Sequence, residues 1–314
     1  MGFRWDFIKG QLPENHAYGH HALFSRYCER EPRDLKILAR YLHGFDCSAF
    51  WDDDRIRSLV WSRRSAESAE ELGLRNFYAI GAPIIYLDKR EEEDQSIREF
   101  RKRGHGKSIC IAPHSIFTDV NNIFESNHFD YYFPNLNKKN RLKYFVDSCK
   151  DQAAFDPLVL LYFKDYTEEV IKQFENFGIE VVTIGDGLYN KSDQRYFVEK
   201  TVALLESCNE VLVCDTNTTW AYAGFLKIPI KVFKQSIFDT NIKAVCRHND
   251  GLSLSNPNFF NNLLGLENKK SPNELLKLFC SDSQWSTFKA RLRFVCEGLS
   301  TRISKRVARY QLFV

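Results

Sequence analysis

The sequence predicts an α/β protein built from two parallel-sheet domains. Three observations carry that reading. Short apolar runs without polar alternation recur along the chain, the pattern of strands buried on both faces. Helical patterns separate these runs, as the crossovers of a parallel sheet require. At 314 residues the chain has room for about two domains. Each domain is therefore expected to be Rossmann-like, at about 1–95 and 96–314, with a cleft between them.

The elements follow in order. Residues 1–30 show weak periodicity, and none is assigned there. Leu35–Gly44 reads as a strand running into a loop, Arg57–Trp61 as a second strand and Phe77–Gly81 as a third. Glu67–Leu72 reads as a helix stopped by Gly73. Asp88-Lys-Arg-Glu-Glu-Glu-Asp94 then opens a polar stretch ending near Gly104–Lys107, taken as a linker, a charged helix and the domain boundary. On charge alone, a solvated helix inside one domain explains it equally well.

The second half is more regular. Strands are expected at Ser108–Ala112, Leu158–Phe163, Ile179–Ile184, Glu210–Cys214 and Ile228–Phe233. A helix with Val170, Ile171, Phe174 and Phe177 should end at Gly178. Another, capped by Ser192, should carry Tyr196, Phe197, Val202 and Leu205, and a short one should run from Thr218 to Leu226. Near the end, Phe288, Leu292, Val295, Leu299, Ile303, Val307 and Tyr310 recur at helical spacing, with Arg291, Arg293, Arg302, Lys305, Arg306 and Arg309 elsewhere on the turn. This is an amphipathic C-terminal helix with a basic face. Packing explains its apolar stripe and solvation its charges. Weak, salt-sensitive attraction to an anionic membrane surface is the added expectation.

Composition narrows the function. A formal charge of +3 gives no argument for nucleic acid. No run reaches the length of a membrane span, and Met1–Phe7 lacks the basic-then-apolar order of a signal peptide. The 9 cysteines are odd in number and none has C-x-x-C spacing, which argues against a disulfide framework or structural zinc. Cys110 and Cys214 lie within apolar runs, as reduced thiols acting as small hydrophobes would. A cytoplasmic setting is expected. His16, His20 and His21 have helical spacing, but no carboxylate motif accompanies them, so no metal is assigned.

Ligands of open parallel sheets bind beyond the carboxyl ends of the strands. Polar or glycine-rich segments follow the first four strands of the second half: Pro113-His114-Ser115 with Thr118 and Asp119, Lys164-Asp165-Tyr166, Gly185-Asp186-Gly187, and Asp215-Thr216-Asn217-Thr218-Thr219. In the last of these, four hydroxyl or amide side chains open a helix, where backbone N–H groups and the helix dipole attract anions. Simple N-capping needs only one of them. His43 occupies the analogous place in the first half, where it would face the second domain as a general base; a structural histidine is the plainer reading.

Together these residues resemble a family. His43-Gly-Phe, Asp53–Ser62, Ala66–Gly73 and Ile80-Gly-Ala-Pro83 are similar to the end of the N-terminal domain of GT-B glycosyltransferases. Pro113-His-Ser115 is similar to the first donor-domain loop of the surface-polysaccharide members. Asp215–Gly224 followed by Lys227-Ile-Pro-Ile230 is similar to their nucleotide-phosphate segment. The resemblance covers roughly 35–235 as an ordered series of weak motifs. Where many retaining members carry a ribose-gripping acid, this chain has Tyr222-Ala-Gly224.

The resemblance implies transfer of a sugar from a CMP-, CDP- or UDP-linked donor to a surface polysaccharide or lipid-linked glycan. Inversion is expected, without metal or other cofactor, at the inner face of the membrane. The donor-binding set is His114, Ser115, Asp165, Gly185, Asp186, Gly187, Thr216, Asn217, Thr218 and Thr219. The base would be His43, Asp46 or Asp119. The alternatives are a nucleotide-sugar epimerase or polyol-phosphate transferase of the same fold, and a non-catalytic glycan-binding scaffold.

Overall fold

The computed structural model describes residues 15, 18–31, 35, 37, 39–41, 57–87, 94–113, 129–136, 141–163, 165–185, 194–248 and 253–279. It is an α/β structure with two parallel sheets, as the sequence predicts. Among the elements of the described residues are helix α1 (His20–Tyr27), then β1 (Arg40–Tyr41), β2 (Ser58–Val60), helix α2 (Arg63–Glu71) and β3 (Phe77–Ala79). The three strands pair in parallel in that order.

Among the described residues of the strand expected over 35–44, Arg40 and Tyr41 pair with a neighbouring strand. On the outer side the Asn15 amide pairs with the chain: Tyr41 N–H donates to Asn15 Oδ1 at 2.9 Å, and Asn15 Nδ2 donates to the Ala39 carbonyl at 2.9 Å. Helix α2 starts four residues before the expected Glu67, because Ser62 accepts the Ser65 N–H at 3.1 Å and caps it there. His20 and His21 are buried in packing. The His20 ring meets Tyr41 edge-on at 4.6 Å, and His21 Nε2 lies 3.0 Å from the Leu35 carbonyl.

The second sheet follows helix α3 (Gln95–Gly104), the charged helix expected at the linker. Its Ile97 and Gly104 are buried. Then come β4 (Ser108–Ile111), α4 (Phe129–Tyr132), α5 (Arg141–Gln152), β5 (Pro157–Leu160), α6 (Glu168–Asn176), β6 (Glu180–Val182), α7 (Phe197–Ser207), β7 (Glu210–Val213), α8 (Thr218–Phe225) and β8 (Ile230–Val232). Helix α3 lies on α7: a Cβ at Gly104 would strike Ser207 and the Leu204 carbonyl. The order β6-β5-β4-β7-β8 is parallel throughout. The chain thus reverses its direction of travel across the sheet between β4 and β7. At the opposite, amino-terminal edge, Glu210 is buried as a clamp. It accepts from Ser108 Oγ at 2.7 Å and from the Ala154 N–H at 2.6 Å, and pairs with Lys231 at 2.8 Å.

Helices α9 (Phe238–His248), α10 (Phe259–Leu263) and α11 (Pro272–Phe279) complete the described chain. The segment from α10 to α11 crosses from one sheet to the other. Phe260 lies over Gly224 of α8, where any Cβ would collide with its ring. The Ala82 N–H then donates to the Leu264 carbonyl at 2.8 Å. Gly265, at φ +63°, sits against the Trp61 carbonyl with no room for a side chain. Beyond it, Phe279 packs on Phe24 at 5.1 Å, and Arg57 Nη1 donates to the Lys277 and Leu278 carbonyls of α11 at 3.1 and 2.7 Å. One apolar core includes Leu59 and Trp61 beside the first sheet together with Leu158 and Val211 of the second. The expected helix over 288–310 and the capping Ser192 lie outside the described residues. No helix among the described residues is long and apolar enough to cross a membrane.

Candidate functional site

The strand order fixes where a ligand would sit. In a doubly wound sheet the crevice opens at the carboxyl ends of the two neighbouring strands whose connections leave in opposite directions. Here these are β4 and β7, in register from Ser108 opposite Glu210 to Cys110 opposite Leu212. Continued past the last pair, that register sets Pro113 beside Asp215. The sequence-predicted segments Pro113-His114-Ser115 and Asp215–Thr219 both begin at this switch point.

The Asp215–Thr219 segment is built by local hydrogen bonds. Asn217, with extended backbone, caps α8 by accepting the Trp220 N–H at 2.9 Å. Its side chain therefore does what simple capping requires. Asp215 Oδ1 accepts the Thr216 N–H at 2.6 Å. Thr216, Asn217, Thr218 and Thr219 are all half-buried, so the segment is neither sealed into the core nor loose on the surface. Behind it, Trp220, Ala221, Tyr222 and Ala223 are buried and anchor the helix.

Two more predicted residues lie beyond neighbouring strands. Asp165, after β5, is buried at 1% exposure in a turn where the Thr167 N–H donates to its carbonyl at 3.0 Å. Gly185 follows β6, is buried, and accepts from Thr183 Oγ1 at 3.2 Å through its carbonyl. The fold thus brings Asp165, Gly185 and Thr216–Thr219 to one edge of one sheet. His43, Asp46, His114, Ser115, Asp119, Asp186 and Gly187 lie outside the described residues.

Sequence reasoning singled out Tyr222 as standing in the place of a ribose-gripping acid. The structure gives it a packing role. It is buried, stacks on Trp61 with ring centroids 5.9 Å apart, and its hydroxyl oxygen accepts the Ile84 backbone N–H. Burial pushes its phenol far above the usual range. Gly224 likewise serves packing, as the seat of Phe260.

Sequence reasoning missed a polar chain at the switch point. Asn241 of α9 donates through Nδ2 to Asp215 Oδ1 at 2.6 Å and to Tyr131 Oη of α4 at 3.3 Å. Burial raises the Asp215 carboxyl above its ordinary value, against the lowering effect of its bonds from Asn241 and Thr216. Asp215 was visible as the residue ending a strand. Nothing in the sequence spacing links it to Asn241, which reaches it from α9, or to Tyr131 of α4, which joins through Asn241. Beneath this edge Cys110, Cys149 and Cys214 are free and buried, and burial pushes the Cys149 and Cys214 thiols up. Among the described residues, no group of three or more His, Cys, Asp or Glu side chains is placed to hold a metal ion.

No family model matches the chain, and no curated protein matches it. Among solved structures it is similar to UDP-GlcNAc 2-epimerase of Methanocaldococcus jannaschii, crystallised with UDP-GlcNAc and UDP. Identity is 12%, the match covers 77% of this chain and 61% of that one, and the TM-score is 0.36. The chain thus spans about three fifths of that protein's length, and the likeness is coarse.

Proposed function

We propose that this protein binds a nucleotide sugar at the β4–β7 switch point and transfers the sugar, with inversion, to a surface polysaccharide or lipid-linked glycan. The observation that carries the reading is the placement of Thr216–Thr219 at the start of a helix whose N-terminus opens on that switch point. The N–H groups of Thr216 and Trp220 are already engaged by side chains. A diphosphate would therefore draw on the backbone of Asn217 and Thr219 and on the Thr219 hydroxyl, with the helix dipole adding to their pull.

The chemistry sets the remaining roles. The acceptor oxygen attacks the anomeric carbon while the bond from that carbon to the phosphate oxygen breaks, leaving its electron pair on the nucleotide. The helix N-terminus, with His114 and Ser115, stabilises that growing charge. The acceptor hydroxyl loses its proton to His43, Asp46 or Asp119. Gly185 lets the donor approach the backbone closely, and Asp165 supports that edge from within.

Incubation with a panel of CMP-, CDP- and UDP-linked sugars tests the reading, with release of free nucleotide as the readout. Release that rises when a glycan acceptor is added supports transfer. Interconversion of the sugar without that dependence on acceptor identifies an epimerase. Binding without turnover identifies a glycan-binding scaffold, and no binding to any member of the panel overturns nucleotide-sugar recognition itself.

A further inference from the structure

We propose that Tyr131, Asn241 and Asp215 form the subsite that recognises the sugar ring of the donor, an inference that rests on nucleotide-sugar binding at the switch point. Three features of the cluster carry it. Tyr131 is 49% exposed on α4, which offers an aromatic ring at the surface beside the crevice. Its hydroxyl is fixed by the amide of Asn241, and the same amide holds Asp215. Asp215 accepts all its bonds through Oδ1, from Asn241 at 2.6 Å and from the Thr216 N–H and hydroxyl at 2.6 and 3.4 Å. Its second oxygen, Oδ2, accepts no hydrogen bond from the described residues.

These are the groups a pyranose needs. A sugar ring has an apolar face of C–H bonds, which gains dispersion contacts on a flat aromatic surface. Around its rim it carries hydroxyls, which donate to carboxylate oxygens in charge-assisted bonds. A carboxylate beside a phosphate site is otherwise a cost, because it repels the anion the helix attracts. Holding Oδ1 with three donors and leaving Oδ2 open makes sense if Oδ2 meets a hydroxyl rather than the phosphate. Burial, which raises the Asp215 carboxyl, makes an accepted hydroxyl proton more valuable still.

Asp215→Asn separates the roles of the two oxygens. The amide oxygen can still accept from Thr216 and Asn241, while the amide nitrogen turns the open position from acceptor to donor. Tyr131→Ala, at an exposed position, removes the ring without opening the core, and Tyr131→Phe keeps it. Titration calorimetry should compare each nucleotide sugar that binds the wild type with its bare nucleotide, and far-ultraviolet circular dichroism should confirm folding. The expected result is that Asp215→Asn and Tyr131→Ala each shift the ratio of the two affinities against the sugar-bearing ligand by about tenfold, while Tyr131→Phe shifts it less. An unchanged ratio in both variants overturns the subsite and leaves nucleotide recognition standing. Failure of the wild type to bind any nucleotide overturns both.

Discussion

Trp61 stacks on Tyr222, with ring centroids 5.9 Å apart and an angle of 23° between the planes. Trp61 directly follows β2 of the first sheet, and Tyr222 belongs to the helix that opens on the switch point of the second. Both rings are buried. The contact therefore ties the candidate phosphate-binding helix to the other sheet. Tyr222→Ala should cost about 3–5 kcal/mol, the usual range for an aromatic ring removed from a core. Tyr222→Phe keeps the stack and loses the bond from Ile84, and should cost about 1 kcal/mol. Denaturant unfolding checks both values. If Tyr222 served the donor instead, Tyr222→Phe would weaken nucleotide binding with little effect on stability.

Gly224→Ala sets two effects against each other. Alanine favours the helix by about 1 kcal/mol, but its methyl would occupy the space of the Phe260 ring, and overpacking costs about 1–3 kcal/mol. Net destabilisation is expected. The double variant Gly224→Ala with Phe260→Leu should recover part of it, because leucine vacates that space. A double variant that behaves as the sum of its parts would show that the ring is not what requires glycine.

Glu210 gives a pH dependence with a definite sign. Burial opposes its ionisation, but the Ala154 N–H, Lys231 and Ser108 together hold its carboxyl below the usual 4.5. A carboxyl lowered in the folded state contributes stability above its unfolded value and loses it as pH falls through its folded value. The stability difference between wild type and Glu210→Gln should therefore be fully present at neutral pH, decline below about 4.5 and vanish at lower pH. Unfolding curves at a series of pH values measure it. A difference that persists unchanged in acid would contradict the assignment.

The sheet was far more legible than the site. Ser108–Ala112 and Glu210–Cys214 stand out because strands buried on both faces must be apolar along their whole length, and the structure places β4 and β7 there. Gly178, at φ +68°, ends α6 as expected, since glycine is the residue that turns there without strain. The start of α2 was misread because the apolar pattern begins after its capping Ser62 does its work. The crossing from α10 to α11 was not visible, as its contacts join residues distant in sequence, such as Ala82 with Leu264 and Phe24 with Phe279. The Asp215–Asn241–Tyr131 chain was hidden for the same reason: two helices and a strand end must fold before its members meet.

Nucleotide binding at the start of α8 is the central claim, and Thr219→Glu tests it most directly. A carboxylate in the first turn suits the helix dipole, adding up to about 1 kcal/mol to stability, yet it repels a phosphate at the same place. Titration calorimetry with CMP, CDP and UDP, alongside thermal melts, reads both effects. The expected result is that the wild type binds at least one of the three, and that Thr219→Glu loses that binding while melting at the same or a higher temperature. Equal binding by both proteins, or no binding by the wild type, would contradict the account.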